Sequence, residues 1–152
     1  MTDLRPVEHA HLRAIIGLSV PEDQKTYVAP NAHTLAQGPY EGGAHPMGIW
    51  DGETLVGFLC AIIMRENLHL DEGDDPEGVY LWRFMIAEGH QRQGHGRAAL
   101  NALFDWAKAR GHRKMYLSVV KENAAGLAFY EAVGFARTGR VVDDEIEFQR
   151  DL

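Results

Sequence analysis

The stretch Gly89–Leu100, GHQRQGHGRAAL, lies between an apolar run and an amphipathic one and is made of residues suited to holding an anion. Glycines let a backbone approach a ligand closely. The first N–H groups of a following helix lack partners and carry the positive end of its dipole, so phosphate suits the place. Two phosphate loops fit poorly. Gly89 and Gly94 have P-loop separation, but His95-Gly96 stands where Lys-Ser/Thr would hold the phosphates and Mg²⁺. Gly94–Ala99 matches G-x-G-x-x-G/A, with Glu122 past the next strand as a ribose acceptor. That fingerprint turns tightly from its strand, whereas seven residues separate Ile86 from Gly94 here. Little chain then remains for a second dinucleotide half-fold.

The other reactive residue types point to less. Cys60 is the single cysteine, so no intramolecular disulfide forms, and its apolar surroundings read as core. The chain holds eight histidines, but His9 and His11 have no third ligand at metal spacing, and no metal is expected. A net charge of −7 argues against nucleic acid and is compatible with a cationic partner. Glu66–Gly78 is an acidic loop, ENLHLDEGDDPEG, which reads either as a cation-binding surface or as a solvated connection.

The elements that must position these residues follow from periodicity. The 152 residues suit one domain, 1–152, whose core removes roughly 70% of the unfolded surface. No apolar run is long enough to span a bilayer and no leader pattern opens the chain, so a cytoplasmic location is expected. Residues 6–19 read as a helix with Leu12, Ile15, Ile16 and Leu18 inward, and 21–37 as irregular because Pro21 and Pro30 limit any helix. Asp51-Gly52 between two apolar runs signals a hairpin. VYLWRFMI (79–86) reads as a strand buried on both faces, 97–110 as a helix ended by Gly111, MYLSVV (115–120) as a second buried strand, and 124–133 as a helix stopped by Gly134. Two short strands around Asp143-Asp144 close the chain. The stretch 79–120 is long enough for a crossover between parallel strands, so a mixed α/β domain is expected.

Gln91-Arg92-Gln93-Gly94-His95-Gly96 has the form [QR]-x-x-G-x-[GA], and Asn123 with LAFYEAVGF (127–135) follows at N-x(6)-Y-E-x-x-G-F spacing. Together these resemble the acyl-CoA loop and second cofactor segment of the GNAT N-acetyltransferase superfamily. The resemblance covers most of 49–148. It implies a mostly antiparallel central sheet with a splayed parallel strand pair, flanked by helices. It also implies acetyl-CoA as co-substrate. The diphosphate would sit on the main chain of the 91–97 turn, with Arg92 and Arg97 adding charge and His95 serving as a loop residue that offers its N–H. The main chain at Phe84 and Ile86 would pair with the pantetheine arm, and a backbone N–H near Met85–Ile86 would serve the oxyanion. Asn123 belongs to the second cofactor segment, and Tyr130 matches the general acid that protonates the departing sulfur. A homodimer is implied at family level only.

The base is left open. The 79–86 strand carries Trp82 and Arg83 but no carboxylate, leaving Glu88, the 71–77 acids, or an amine that arrives neutral. QKTYVAPNAHTLAQ (24–37), the acidic loop and LWRFMIAEGHQRQGHGRAAL resemble bacterial spermine/spermidine N-acetyltransferases. A polyamine or other small amine is therefore the expected acceptor, with Glu72 and Tyr27 contacting its charge and alkyl chain. Trp82 departs from that pattern, where those enzymes tend to carry an acid, which opens the choice of amine. A peptide amine, an aminoglycoside, or an acyl-CoA sensor without turnover are the alternatives.

Overall fold

The computed structural model describes residues 1–152. Seven strands form one sheet in the order β1-β2-β3-β4-β5-β7-β6. These are β1 (Thr2–Pro6), β2 (Ala44–Asp51), β3 (Thr54–Ile63), β4 (Val79–Ile86), β5 (Lys114–Val120), β6 (Ala136–Val142) and β7 (Glu145–Asp151). Every neighbouring pair is antiparallel except β4 and β5. Four helices flank it: α1 (Leu12–Gly17), α2 (Asn31–Glu41), α3 (His95–Ala109) and α4 (Ala124–Ala132). The mixed sheet with one parallel pair is the expected architecture. No helix is long and apolar enough to cross a membrane.

The hairpin forms where the sequence placed it, with Gly52 at φ +58° following Asp51. One strand is added and two expectations fail. Residues 2–6 form an edge strand against β2, with Thr2 opposite Asp51 and Pro6 opposite Met47. Only Leu4 of this strand packs on the core, so no alternating pattern announced it. The 6–19 helix shrinks to 12–17 behind a 3₁₀ turn at His9–His11, and Ile16 points to solvent while Ile15 is fully buried. The 21–37 segment contains most of α2. Pro30 precedes its first turn, where a missing N–H costs nothing, and Asn31 anchors the helix by donating from Nδ2 to the Ile15 carbonyl at 2.9 Å.

The core has two layers. On one face Leu100, Leu103, Phe104 and Ala107 of α3 pack on Leu59, Leu81, Met115, Leu117 and Phe148. On the other, Ile15, Val20, Phe58, Cys60 and Met85 form a smaller cluster beneath α1 and α2.

Strand β4 changes face partway along. Opposite Cys60/Ala61 it carries an extra residue, since Cys60 pairs with Arg83 and Ala61 with Leu81. Such a bulge bends a strand and re-aims its side chains. Val79 and Leu81 face α3, whereas beyond the bulge Met85 joins the α1–α2 cluster and Phe84 and Ile86 pack on the α3 side. The expectation of a strand buried on both faces holds for Val79, Leu81 and Met85, but Trp82, Arg83, Phe84 and Ile86 are only half-buried. They line an opening. β4 and β5 pair only at Val79–Met115 and Tyr80–Tyr116, and beyond these the strands part.

Candidate active site

The gap between β4 and β5 widens into a cleft of about 1120 Å³, walled by 81–86 of β4, 117–120 of β5, the 90–97 turn, the start of α4 and the 20–30 segment. Phe84, Met85, Ile86, Gln91, Arg92, Gly94, Gly96, Arg97, Asn123, Tyr130 and Tyr27 all line it. Gln93, His95 and Glu72 do not.

The β4 wall offers main-chain groups. Ala87 donates its N–H to Val56 on β3 at 2.8 Å. Backbone groups alternate sides along a strand, so Met85 also turns its N–H and carbonyl to β3, while Phe84 and Ile86 turn theirs into the cleft. With β5 splayed away, those groups have no strand to pair with.

The turn is built to aim N–H groups. Gly89 (φ +88°), Arg92 (φ +60°) and Gly94 (φ +86°) all hold left-handed backbone, and left-handed residues in such turns can gather successive N–H groups into an anion-binding nest. A left-handed arginine costs about 1 kcal/mol or more, and such strain collects at functional sites. Gln91 fixes the turn. Its Nε2 donates to the Ile86 carbonyl and to Gln24 Oε1, both at 2.9 Å, and Gln24 Nε2 donates back at 3.1 Å. Gln93 braces the loop from outside by donating to the Gly89 carbonyl at 3.1 Å.

Gly94 is the N-cap of α3, and the first bond within the helix runs from Ala98 N–H to its carbonyl. The N–H groups of His95, Gly96 and Arg97 are thus left at the positive end of a fifteen-residue helix. His95 is not a loop residue as expected but the first residue of α3, buried, with Nδ1 bonded to Thr2 Oγ1 at 2.9 Å. It ties β1 to the helix start. Gly96 lets Phe129 approach, since a Cβ there would meet the ring at 3.3 Å. Phe129 in turn stacks on Phe84, with centroids 6.4 Å apart and planes within 9°.

The α4 wall carries the phenol. Asn123 caps α4 by accepting the Gly126 N–H on Oδ1 at 2.9 Å. Tyr130, two turns on, lies edge-to-face with Phe129 and Phe135. Tyr130 lines the cleft, its hydroxyl makes no bond to the protein, and burial pushes the phenol above its ordinary value, so it stays protonated at neutral pH.

The acceptor-side residues arrange differently. Tyr27 donates to the Glu122 carbonyl at 3.4 Å and holds the 20–30 segment against the start of α4. The acidic loop folds away. Arg140 on β6 donates to the Gly73 and Glu72 carbonyls and to Asp74, Tyr116 donates to Asp75 at 2.8 Å, and Arg65 pairs with Glu77. Glu72 is exposed on that loop and does not meet the other site residues. Glu88 is also exposed and outside the cleft.

The structure adds residues absent from the sequence reading. Glu145, at the start of β7, reaches the cleft and accepts from Ser118 Oγ at 2.9 Å, and Ser118 accepts from Tyr80 at 2.7 Å. Arg83 lies on the Trp82 ring at 4.2 Å with its Nε buried and unpartnered, and burial lowers its pKa. The alternation in EIEF, which sets Glu145 and Glu147 on one face, was the sequence signal for the carboxylate.

Residues 12–135 match the acetyltransferase (GNAT) family model. The chain belongs to that family, and it is an acyl-CoA-dependent N-acetyltransferase. Among curated relatives, it is 27% identical over 140 residues to the spermine/spermidine N(1)-acetyltransferase of Bacillus subtilis, covering 91% of this chain and 90% of that one. It is 42% identical to the ribosomal protein bS18-alanine N-acetyltransferase of Escherichia coli, over 55 residues that cover 36% and 37% of the two chains. Among solved structures, AAC(6')-Ib in complex with ribostamycin and coenzyme A superposes with a TM-score of 0.82 at 14% identity, over 99% of this chain and 93% of that one. The PaiA N-acetyltransferase of Thermoplasma acidophilum, in complex with coenzyme A, gives 0.71 at 13%, over 100% and 99%. At such identities the structural likeness speaks for the fold.

Proposed function

We propose that the enzyme transfers an acetyl group from acetyl-CoA to a primary amine of a polyamine or similar small polycation, with Tyr130 as general acid. The observation that carries the reading is the edge of Phe84 and Ile86 that no strand pairs, which shares one cleft with the glycine turn and Tyr130. The nest and the free N–H groups of α3 suit a diphosphate, to which Arg92 and Arg97 add charge. The cleft-facing main chain of Phe84 and the Ile86 N–H, which no strand pairs, suit the amides of a pantetheine arm, while the Ile86 carbonyl is taken by Gln91. Because Met85 turns its N–H to β3, the oxyanion falls to the cleft-facing N–H groups of Phe84 and Ile86, and one such donor contributes ~3–4 kcal/mol.

The chain's own groups handle the protons. A phenol held protonated can give its hydrogen to the departing sulfur, and its freedom from other partners leaves it available. The polyamine assignment draws on the Bacillus relative, which is similar across nearly the whole chain, and on the acids facing this cleft. Those acids are Asp23, Glu122 and Glu145, not the 71–77 loop.

The test is free-thiol release from acetyl-CoA with spermidine, spermine, an alanine-initiated peptide and kanamycin. Release with spermidine that collapses in Tyr130→Phe is the expected result. Release confined to the peptide or to kanamycin overturns the polyamine assignment, and tight CoA binding with no acceptor-dependent release makes the domain a sensor.

A further inference from the structure

The reaction needs a group to take a proton from the attacking nitrogen, and β4 carries no carboxylate. Three carboxylates line the cleft: Asp23, Glu122 and Glu145. Asp23 and Glu122 are exposed on the 20–30 segment and at the start of α4. Glu145 alone is recessed, on the wall formed by β5 and β7.

The position of Glu145 is set by its turn. Asp143 (φ +49°) and Asp144 (φ +66°) form a two-residue turn with both central residues left-handed, which closes β6 on β7 with Val142 opposite Glu145. On its other edge β7 places Glu145 opposite Val120 and Glu147 opposite Ser118. The Ser118 side chain therefore meets Glu145 on the diagonal.

The hydrogen bonds run in one direction. Burial pushes the Tyr80 phenol up to about 12, so it keeps its proton and donates to Ser118. Ser118 has a single O–H and spends it on Glu145 Oε1. The carboxylate is thereby held in one orientation as an acceptor only, and its Oε2 has no protein partner. Glu147, the next acid on that face, is buried and engaged by Thr138 and Arg140, so it is not available to a substrate.

We infer that Glu145 is the carboxylate that receives the acceptor amine and takes its proton, with Ser118 and Tyr80 as positioning residues. This rests on the transferase reading above. The neutral amine forms the C–N bond to the thioester carbonyl carbon, and its nitrogen becomes acidic as it gains positive charge. One N–H proton passes to Glu145 Oε2 and on to solvent. The C–S bond breaks, the sulfur takes the Tyr130 proton, and the phenolate recovers a proton from solvent. Amine and thioester become amide and thiol, with no net proton lost or gained.

The experiment compares wild type, Glu145→Gln, Glu145→Asp and Ser118→Ala, by thiol release with acetyl-CoA and the best acceptor of the panel, and by calorimetry with CoA. Expected are CoA affinity within twofold of wild type in all three variants, a kcat loss of about 100-fold or more in Glu145→Gln, and roughly tenfold losses in the other two. Glu145→Asp keeps the charge but withdraws it by one methylene, so it serves if the glutamine variant does not fold. Wild-type kcat in the glutamate variants overturns the inference, as does a raised acceptor KM with kcat unchanged, which would make Glu145 a docking charge only. Absence of acceptor-dependent release from wild type overturns the transferase reading along with it.

Discussion

Along one part of the cleft the groups on offer belong to the main chain: N–H groups of the 89–97 turn, those at the start of α3, and the edge of Phe84 and Ile86 that no strand pairs. On the β5–β7 wall they are side chains drawn from separate strands, Ser118 from β5 and Glu145 from β7, with Tyr80 of β4 bonded to Ser118 from outside the cleft. A ligand gripped by backbone tolerates many side-chain replacements, provided the chain keeps its path. A ligand gripped by a chain of side-chain hydrogen bonds tolerates almost none. One part is thus suited to a donor common to many reactions, and the other to whichever acceptor this enzyme serves.

That contrast can be broken at four places. Tyr130→Phe should lower kcat by about 100-fold or more while calorimetry finds CoA affinity intact. An equal loss of affinity would mean the ring binds and the hydroxyl is idle. Gly96→Val should push Phe129 out of its stack on Phe84 and weaken CoA binding by about 30-fold, roughly 2 kcal/mol, with kcat at saturation little changed.

Arg92→Gly separates charge from path, because glycine keeps the left-handed turn without strain. A titration of CoA across salt concentrations should show affinity falling by only about threefold, along with a shallower salt dependence. A loss near that of Gly96→Val would make the side chain, not the main chain, the main anion ligand. The smallest effect belongs to Asn123→Ala, which removes the α4 cap and about 1 kcal/mol of stability, a Tm drop of about 3 °C by calorimetry.

The same contrast explains what could be read in advance. The 89–109 turn and helix and the Asn123–Phe135 segment are each a continuous stretch of chain, and glycines at forced backbone angles are visible as letters, so that side of the cleft was legible. The hairpin at Gly52 and the crossover from β4 to β5 were legible for the same local reason. The proposed acceptor side was not. Ser118 and Glu145 lie 27 residues apart and meet only because a left-handed Asp143-Asp144 turn sets the β7 register. The run DEGDDP drew notice as the densest acidic stretch, but Arg140 and Tyr116 engage it elsewhere. Strand β1 and α2 escaped because their partners, not their own patterns, hold them. Thr2–Pro6 is paired by β2, and Asn31 is anchored to Ile15 and Met85. His95 looked like loop because its role is a bond to Thr2, ninety-three positions away.

The two rungs at Val79 and Tyr80 carry a mechanical consequence. Through them alone β4 is laddered to the β5-β7-β6 half of the sheet, so this seam is the weakest lateral joint among the strands. On the proposed placement, a pantetheine arm laid along Phe84 and Ile86 would act as a splint across it. Amide exchange at Leu117–Val120 should therefore slow more on adding CoA than at any stretch of β2 or β3, whose rungs are already complete.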